Sequence, residues 1–372
     1  MRVLVVNAGS SSLKLTLLDG RDRVLGEQEL QAPRAVVDPG QLSEALGAGL
    51  GEAHAVGHRI VHGGERFRDP VRLTPAVEAS LRELIDLAPL HQPKSLAALE
   101  AVTGVLGDLP AVACFDTAFH ATIPAEAATY ALPARWRERW GIRRYGFHGL
   151  SHAYVARRVP ELLERSGQEL RIVSCHLGAG ASLCAIRAGR SLDTTMGFTP
   201  LEGLVMATRS GSVDPGILLW LLEHEDLPAA ELADALEHRS GILGLAGTAD
   251  MRVLLERVAA GEPAAALALD VYLHRLAGAV AAMTAALGGL DAIAFTGGVG
   301  ERSAEVRARA AARLAFLGVE LDERRNRELS TDGDIAAEDA GARALVIAAR
   351  EDLEIAGQVR AVLAGEAGRR QH

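Results

Sequence analysis

At 372 residues the chain has room for about two domains. Its 49% hydrophobic residues suffice for a core built from alanine and leucine, since aromatics make up only 4%. A net charge of −9 excludes a general affinity for nucleic acid or membrane surfaces, so any phosphate site must be a local basic pocket. Cys114, Cys175 and Cys184 lie in apolar, strand-like runs and read as reduced core thiols. With no cleavable leader and no apolar run of bilayer length read from the sequence, the expectation is a cytoplasmic protein.

The first element is an apolar strand, Val3 to Val6, running into Asn7-Ala8-Gly9-Ser10-Ser11-Ser12-Leu13-Lys14. Backbone N–H groups, hydroxyls and a lysine at such a bend make an anion cradle. Alternation resumes from Leu15 to Asp19 and ends at Asp19-Gly20, so the cradle is the bend of a β-hairpin and does not lead into a helix. Neither G-x-x-x-x-G-K-S/T nor a strand-linked G-x-G-x-x-G occurs, which argues against a P-loop or a dinucleotide fold. Strands follow at 53–62 and 111–115, with helical spacing at 77–87 and 97–105 and a helix at 151–163 that Ser151 can cap. About 170 residues after the first hairpin comes a second: strand 171–175, then His176-Leu177-Gly178-Ala179-Gly180-Ala181-Ser182, then strand 183–186. Two matching hairpins predict a duplicated α/β domain with a cleft between the halves. Helices are expected at 228–238, 251–258, 264–287, 304–317 and 353–363, with residues after Ala364 as a frayed tail. A strand at 292–295 runs into Thr296-Gly297-Gly298-Val299-Gly300-Glu301, a third phosphate or nucleoside candidate, and 344–348 is a late strand.

Among candidate chemical groups, His58 and His62 with Glu65 suggest a metal. However, four residues of strand span about 13 Å, too far for two ligands of one zinc. Arg59 is the one charge in an apolar strand and needs an anionic partner; Arg209, among small residues of the second half, has the same character. Two such arginines suit a clamp on a phosphoryl group, and ordinary ion pairs account for them equally well. Asp116 stands at the C-terminal end of a strand, where α/β proteins place catalytic groups, and His148 stands just before a helix.

Together these segments resemble the acetate kinase family. The matching pieces run in family order from Val5 to Lys14, His58 to Glu65, Leu87 to His91, Phe115 to His120, Tyr130 to Pro133 and Gly141 to Gly149. They continue through Met196 to Leu204, Thr208 to Gly211, Asp250 to Arg252 and Thr296 to Glu301. The resemblance implies two duplicated actin-like (ribonuclease H-like) α/β domains with an interdomain active-site cleft. One domain is expected over 1–149 joined by 350–372, the other, nucleotide-binding, over 150–349. It implies Mg²⁺-dependent phosphoryl transfer from ATP to acetate, or to a slightly longer acid, and a homodimer.

By position, the resemblance gives catalytic roles to Asp116, His148 and Arg209. Arg59 would bind the carboxylate, while Val61, Leu90, Phe147 and Pro200 would line a methyl pocket. Asn7 and Glu351 would serve the metal. The nucleotide would meet Ser10, Ser12 and Lys14; then His176, Leu177, Gly178, Ala179 and Gly180; then Asp250, Met251 and Arg252; and finally Gly298, Val299, Gly300, Glu301 and Arg302. Ala179, Ala181 and Arg302 depart from the family's usual polar residues. That bears on the phosphoryl donor, for which pyrophosphate is the alternative to ATP.

Overall fold

The computed structural model describes all residues except 10–11, 32–38, 51, 86–91, 108, 168–169 and 370–372, and only the backbone of 39, 48–49 and 367–369. The chain divides into two compact units. Unit 1 comprises Met1–Ala121, Phe147–Tyr154 and Arg350–His372; unit 2 comprises Thr122–Gly146 and Val155–Ala349.

Unit 1 is built on six strands: β1 (Val3–Ala8), β2 (Ser12–Leu18), β3 (Val24–Gln31), β4 (Ala55–Ile60), β5 (Val71–Arg72) and β6 (Ala111–Phe115). Their order is β3-β2-β1-β4-β6-β5. The hairpin β1/β2 is antiparallel, with Asn7 opposite Lys14, and β1, β4 and β6 run parallel. Period-2 alternation explains why β1 reads as an unbroken apolar run. Leu4 and Val6 pack with Leu42, Leu46, Ala98 and Val102, while Val3 and Val5 pack with Leu150, Ile355, Ala356 and Val359. A parallel strand covered on both faces has no solvent side to make polar.

Unit 2 repeats the plan. Its strands are β7 (Arg171–Leu177), β8 (Ala181–Arg187), β9 (Arg190–Thr194), β10 (Ala292–Thr296), β11 (Gly333–Asp334) and β12 (Arg343–Val346), in the order β11-β12-β10-β7-β8-β9. Read from the other end, this is the order of unit 1 strand for strand. The hairpin β7/β8 is antiparallel, β7, β10 and β12 are parallel, and β11 is an antiparallel edge. The expected α/β duplication is thus present as two sheets of one topology. Residues 122–146, assigned from sequence to the first half, belong to unit 2, where Arg144 donates to the carbonyls of Thr194, Thr195 and Met196.

Several local expectations need correction. The helix expected from Ser151 starts at Gly149 and ends at Leu163, which places Ser151 inside it and not at its cap. The last helix runs Glu351–Arg369, through the stretch read as a frayed tail. β3 went unnamed because its exposed Val24 and Leu25 and its charged face hide the strand pattern. The helix Pro263–Leu287 is, by length and composition, apolar enough to cross a membrane, although no such run was expected. Its ten buried residues, recurring every three or four positions from Ala265 to Leu287, pack on β7 and β8 as in a core helix.

Candidate active site

In unit 1, three strand ends and one helix start bring a charged network together. Arg59 lies at the end of β4, with a side chain only 16% exposed. Its Nε donates to both carboxylate oxygens of Asp116 at 3.1 Å, and Nη2 donates to Asp116 Oδ2 at 2.6 Å. Nη1 donates to Asn7 Oδ1 at 3.0 Å and lies 3.8 Å from Glu351 Oε2. Asn7, in turn, donates from Nδ2 to Glu351 Oε2 at 2.9 Å. Burial alone would lower the Arg59 pKa, but Asp116 and Glu351 outweigh it and hold the guanidinium charged. Burial pushes the Asp116 carboxyl up, and Arg59 opposes that push. Asp352 pairs instead with Arg350, so Glu351 is the acid of this helix that joins the network.

His148 stands beside this network. Gly149 donates its N–H to the Asp116 carbonyl at 2.8 Å, and His148 itself has a left-handed backbone, φ 56°. A side chain at 149 would put its Cβ 2.1 Å from that carbonyl oxygen, so only glycine lets the helix start so close to Asp116. Behind it, Phe147 is 1% exposed, with its ring edge-on to His62 and its carbonyl bonded to His120 Nε2 at 2.9 Å. Val61 is also buried. Lys14 is not drawn into the network. It pairs with Glu27 on β3, and its side chain is 53% exposed. Ser10 and Leu90 lie outside the described residues. Ser12 opens β2, its carbonyl accepting from Gly9 at 2.8 Å.

Unit 2 gathers the second hairpin and the glycine loop. His176 and Leu177 end β7, and His176 lies opposite Thr296 of β10. Gly178 to Gly180 form the bend, closed by Gly178 N–H on the Gly180 carbonyl at 3.0 Å, and Ala179 accepts from Ala207 N–H. Gly297, at φ 77°, would place a Cβ 2.8 Å from the Leu177 oxygen; its left-handed backbone and lack of side chain hold loop and hairpin together. The loop is helical over Gly297–Arg302, tighter than the open turn expected. Gly298 is exposed and Val299 half-buried, Gly300 is buried, and Glu301 fixes the segment by accepting from Ala349 N–H at 2.9 Å. Arg302 is exposed.

Asp250 caps the helix Met251–Ala259 and pairs with Arg252, which lowers its pKa to about 2. Met251 packs beneath it at 7% exposure. Arg209 donates from Nε to Glu237 at 2.8 Å, with Nη1 3.5 Å from the carbonyl of the buried Pro200. Glu237 is the partner of Arg209 that sequence reasoning missed. It sits 28 positions away on a helix where an acid looks like an ordinary surface charge.

The profile of the Acetokinase family matches residues 40–357. Acetate kinases of Synechococcus sp. and Deinococcus radiodurans are each 45% identical. The matches cover 98% of this chain and, respectively, 100% and 99% of theirs. Among solved structures, an acetate kinase of Porphyromonas gingivalis superposes with a TM-score of 0.89 at 36% identity, covering 97% of this chain and 99% of its own. A propionate kinase of Francisella tularensis gives 0.89 at 34%, covering 96% and 98%.

Proposed function

Because the chain belongs to the Acetokinase family and works as an acetate kinase, a phosphotransferase with a carboxyl group as acceptor, we propose that its two units divide the reaction. Unit 1 takes the acid, and unit 2 takes the nucleotide. The observation that carries this reading is the Arg59 network, in which residues up to 344 positions apart converge on one buried guanidinium.

A carboxylate is already deprotonated, so its attack on the γ-phosphorus of ATP needs no strong base. Its oxygen forms the new P–O bond as the bond to ADP breaks. The difficulty is to align two anions and neutralise the charge between them. Asp116 holds Arg59 by a two-nitrogen fork, and a carboxylate so engaged is an orienting group for Arg59 and not a proton acceptor. Arg59 then binds the acid. In unit 1, Val61 and Phe147 are assigned to its methyl group and His148 to the transferring phosphoryl; in unit 2, Pro200 and Arg209 carry the same two assignments.

Asn7 and Glu351 offer an amide and a carboxylate oxygen, the hard donors that suit Mg²⁺. This ion takes one or two carboxylates with water and substrate phosphates rather than a protein cage. Magnesium, when bound, neutralises phosphate charge. The bend 176–180 and the loop 298–302, with Asp250 to Arg252, hold ATP. A homodimer in the cytoplasm completes this reading.

Purified protein with Mg-ATP and acetate should yield acyl hydroxamate when hydroxylamine is present. If none appears with formate, acetate, propionate or butyrate, with either ATP or pyrophosphate, the reading fails. Likeness to a propionate kinase keeps propionate as the second acid, and the acid series decides between them. Arg209→Ala should depress kcat far more than it weakens ATP binding; equal losses would remove its assignment to the transferring group.

A further inference from the structure

On the other face of β4 from Arg59 lies a cavity of about 220 Å³. Successive strand residues point to opposite faces, so His58 and Arg59 address different spaces. The walls come from β4, β6 and the helix Gln92–Leu106, with Val56, Val102, Leu106 and Ala111 as apolar surface and His58 as the buried polar group. His58 is 2% exposed, and no protein atom among the described residues hydrogen-bonds to either of its ring nitrogens. A neutral imidazole has one donor and one acceptor, and burying both without partners is costly enough to call for an explanation. Burial holds its pKa down at about 4, so the ring is neutral at physiological pH.

The two charged side chains on the lining are already matched. Arg72 donates to Glu366 at 2.7 Å, and Glu78 lies 3.9 Å from Arg82. The cavity therefore favours neither an anion nor a cation. A hydroxyl both donates and accepts, as His58 requires, and a cavity of roughly 150 Å³ already accommodates benzene.

We propose that this cavity is a binding site, separate from the acid and nucleotide sites, for a small neutral ring-sized molecule whose hydroxyl bonds to His58. Phenol and its isostere toluene, which lacks the hydroxyl, are the probes. The full-length protein, labelled with ¹⁵N in histidine, is titrated with each and the ring nitrogens followed by NMR. Phenol should shift the His58 nitrogens saturably, and toluene should bind about ten-fold more weakly or less, because a buried polar group is left unpaired. His58→Leu should abolish the preference for phenol, measured by calorimetry. Thr103 is exposed at the cavity's lining, so Thr103→Trp should block binding while leaving the thermal midpoint and kinase activity as in the wild type. The proposal is overturned if phenol gives no saturable response up to its solubility, if the response lies at another histidine, or if Thr103→Trp leaves it unchanged.

Discussion

Arg209 is held at 2.8 Å by Glu237, a carboxylate 10% exposed. Replacing that carboxylate by an amide keeps its shape but removes the charge that sets the guanidinium. Glu237→Gln should lower kcat about ten-fold or more in the hydroxamate assay, with the urea midpoint little changed, since the role is orientation. A second residue-scale effect concerns pH. Burial holds His58 and His62 down at about 4, and His62 Nδ1 accepts from Gly64 N–H at 2.8 Å, which requires the neutral ring. In the unfolded chain both titrate near 6.5, so between about 6.5 and 4 the unfolded state binds more protons and stability rises with pH. Acidification through that window should cost on the order of 3 kcal/mol per ring, read as a falling free energy of urea unfolding. His58→Leu should flatten the slope by about half, and an unchanged slope would show that other groups set it. Arg59 was legible in the sequence because a lone charge in an apolar strand demands a partner. Its ties to Asn7 and Glu351 were not, since no pattern along the chain encodes a contact across 344 positions.

At the level of elements, hairpins and buried strands follow from alternation and small-residue bends, and the sheets place them where the pattern puts them. The start of the helix Gly149–Leu163 does not follow from capping rules. Ser151 is a good cap by residue type, yet the helix begins two residues earlier because Gly149 is pulled against the Asp116 carbonyl. Tertiary contact overrides local preference here. Gly149→Ala tests that account. Its methyl would lie 2.1 Å from backbone, which cannot yield as a flexible side chain would. The variant should lose about 1–3 kcal/mol of stability, as overpacking does, and more activity than stability alone explains, since Asp116 and His148 both shift. Chemical denaturation alongside kcat measures the two; a variant of unchanged stability and rate would show that the helix start is free to move.

Over the whole molecule, the duplication was legible because two hairpins recur about 170 residues apart. The assignment of 122–146 to unit 2 was not, because it rests on Arg144 bonding to carbonyls some 50 positions on. One surface of unit 2 remains to be accounted for. The helix Pro215–His224 is among the most apolar in the chain yet buries none of its residues; Ile217 is 51% exposed, Leu219 63% and Trp220 52%. Helices in proteins draw most of their stability from burying an apolar face, and a contiguous exposed one marks an interaction surface. If the proposed homodimer forms through this face, a twofold contact would let one self-complementary patch serve both copies. Light scattering should therefore give about twice the 39.2 kDa chain mass for the wild type. The double variant Leu219→Asp with Trp220→Glu should give a single chain mass while retaining its circular dichroism spectrum, because neither side chain contributes to a buried core. A monomeric wild type, or a variant that stays dimeric, would separate this helix from self-association.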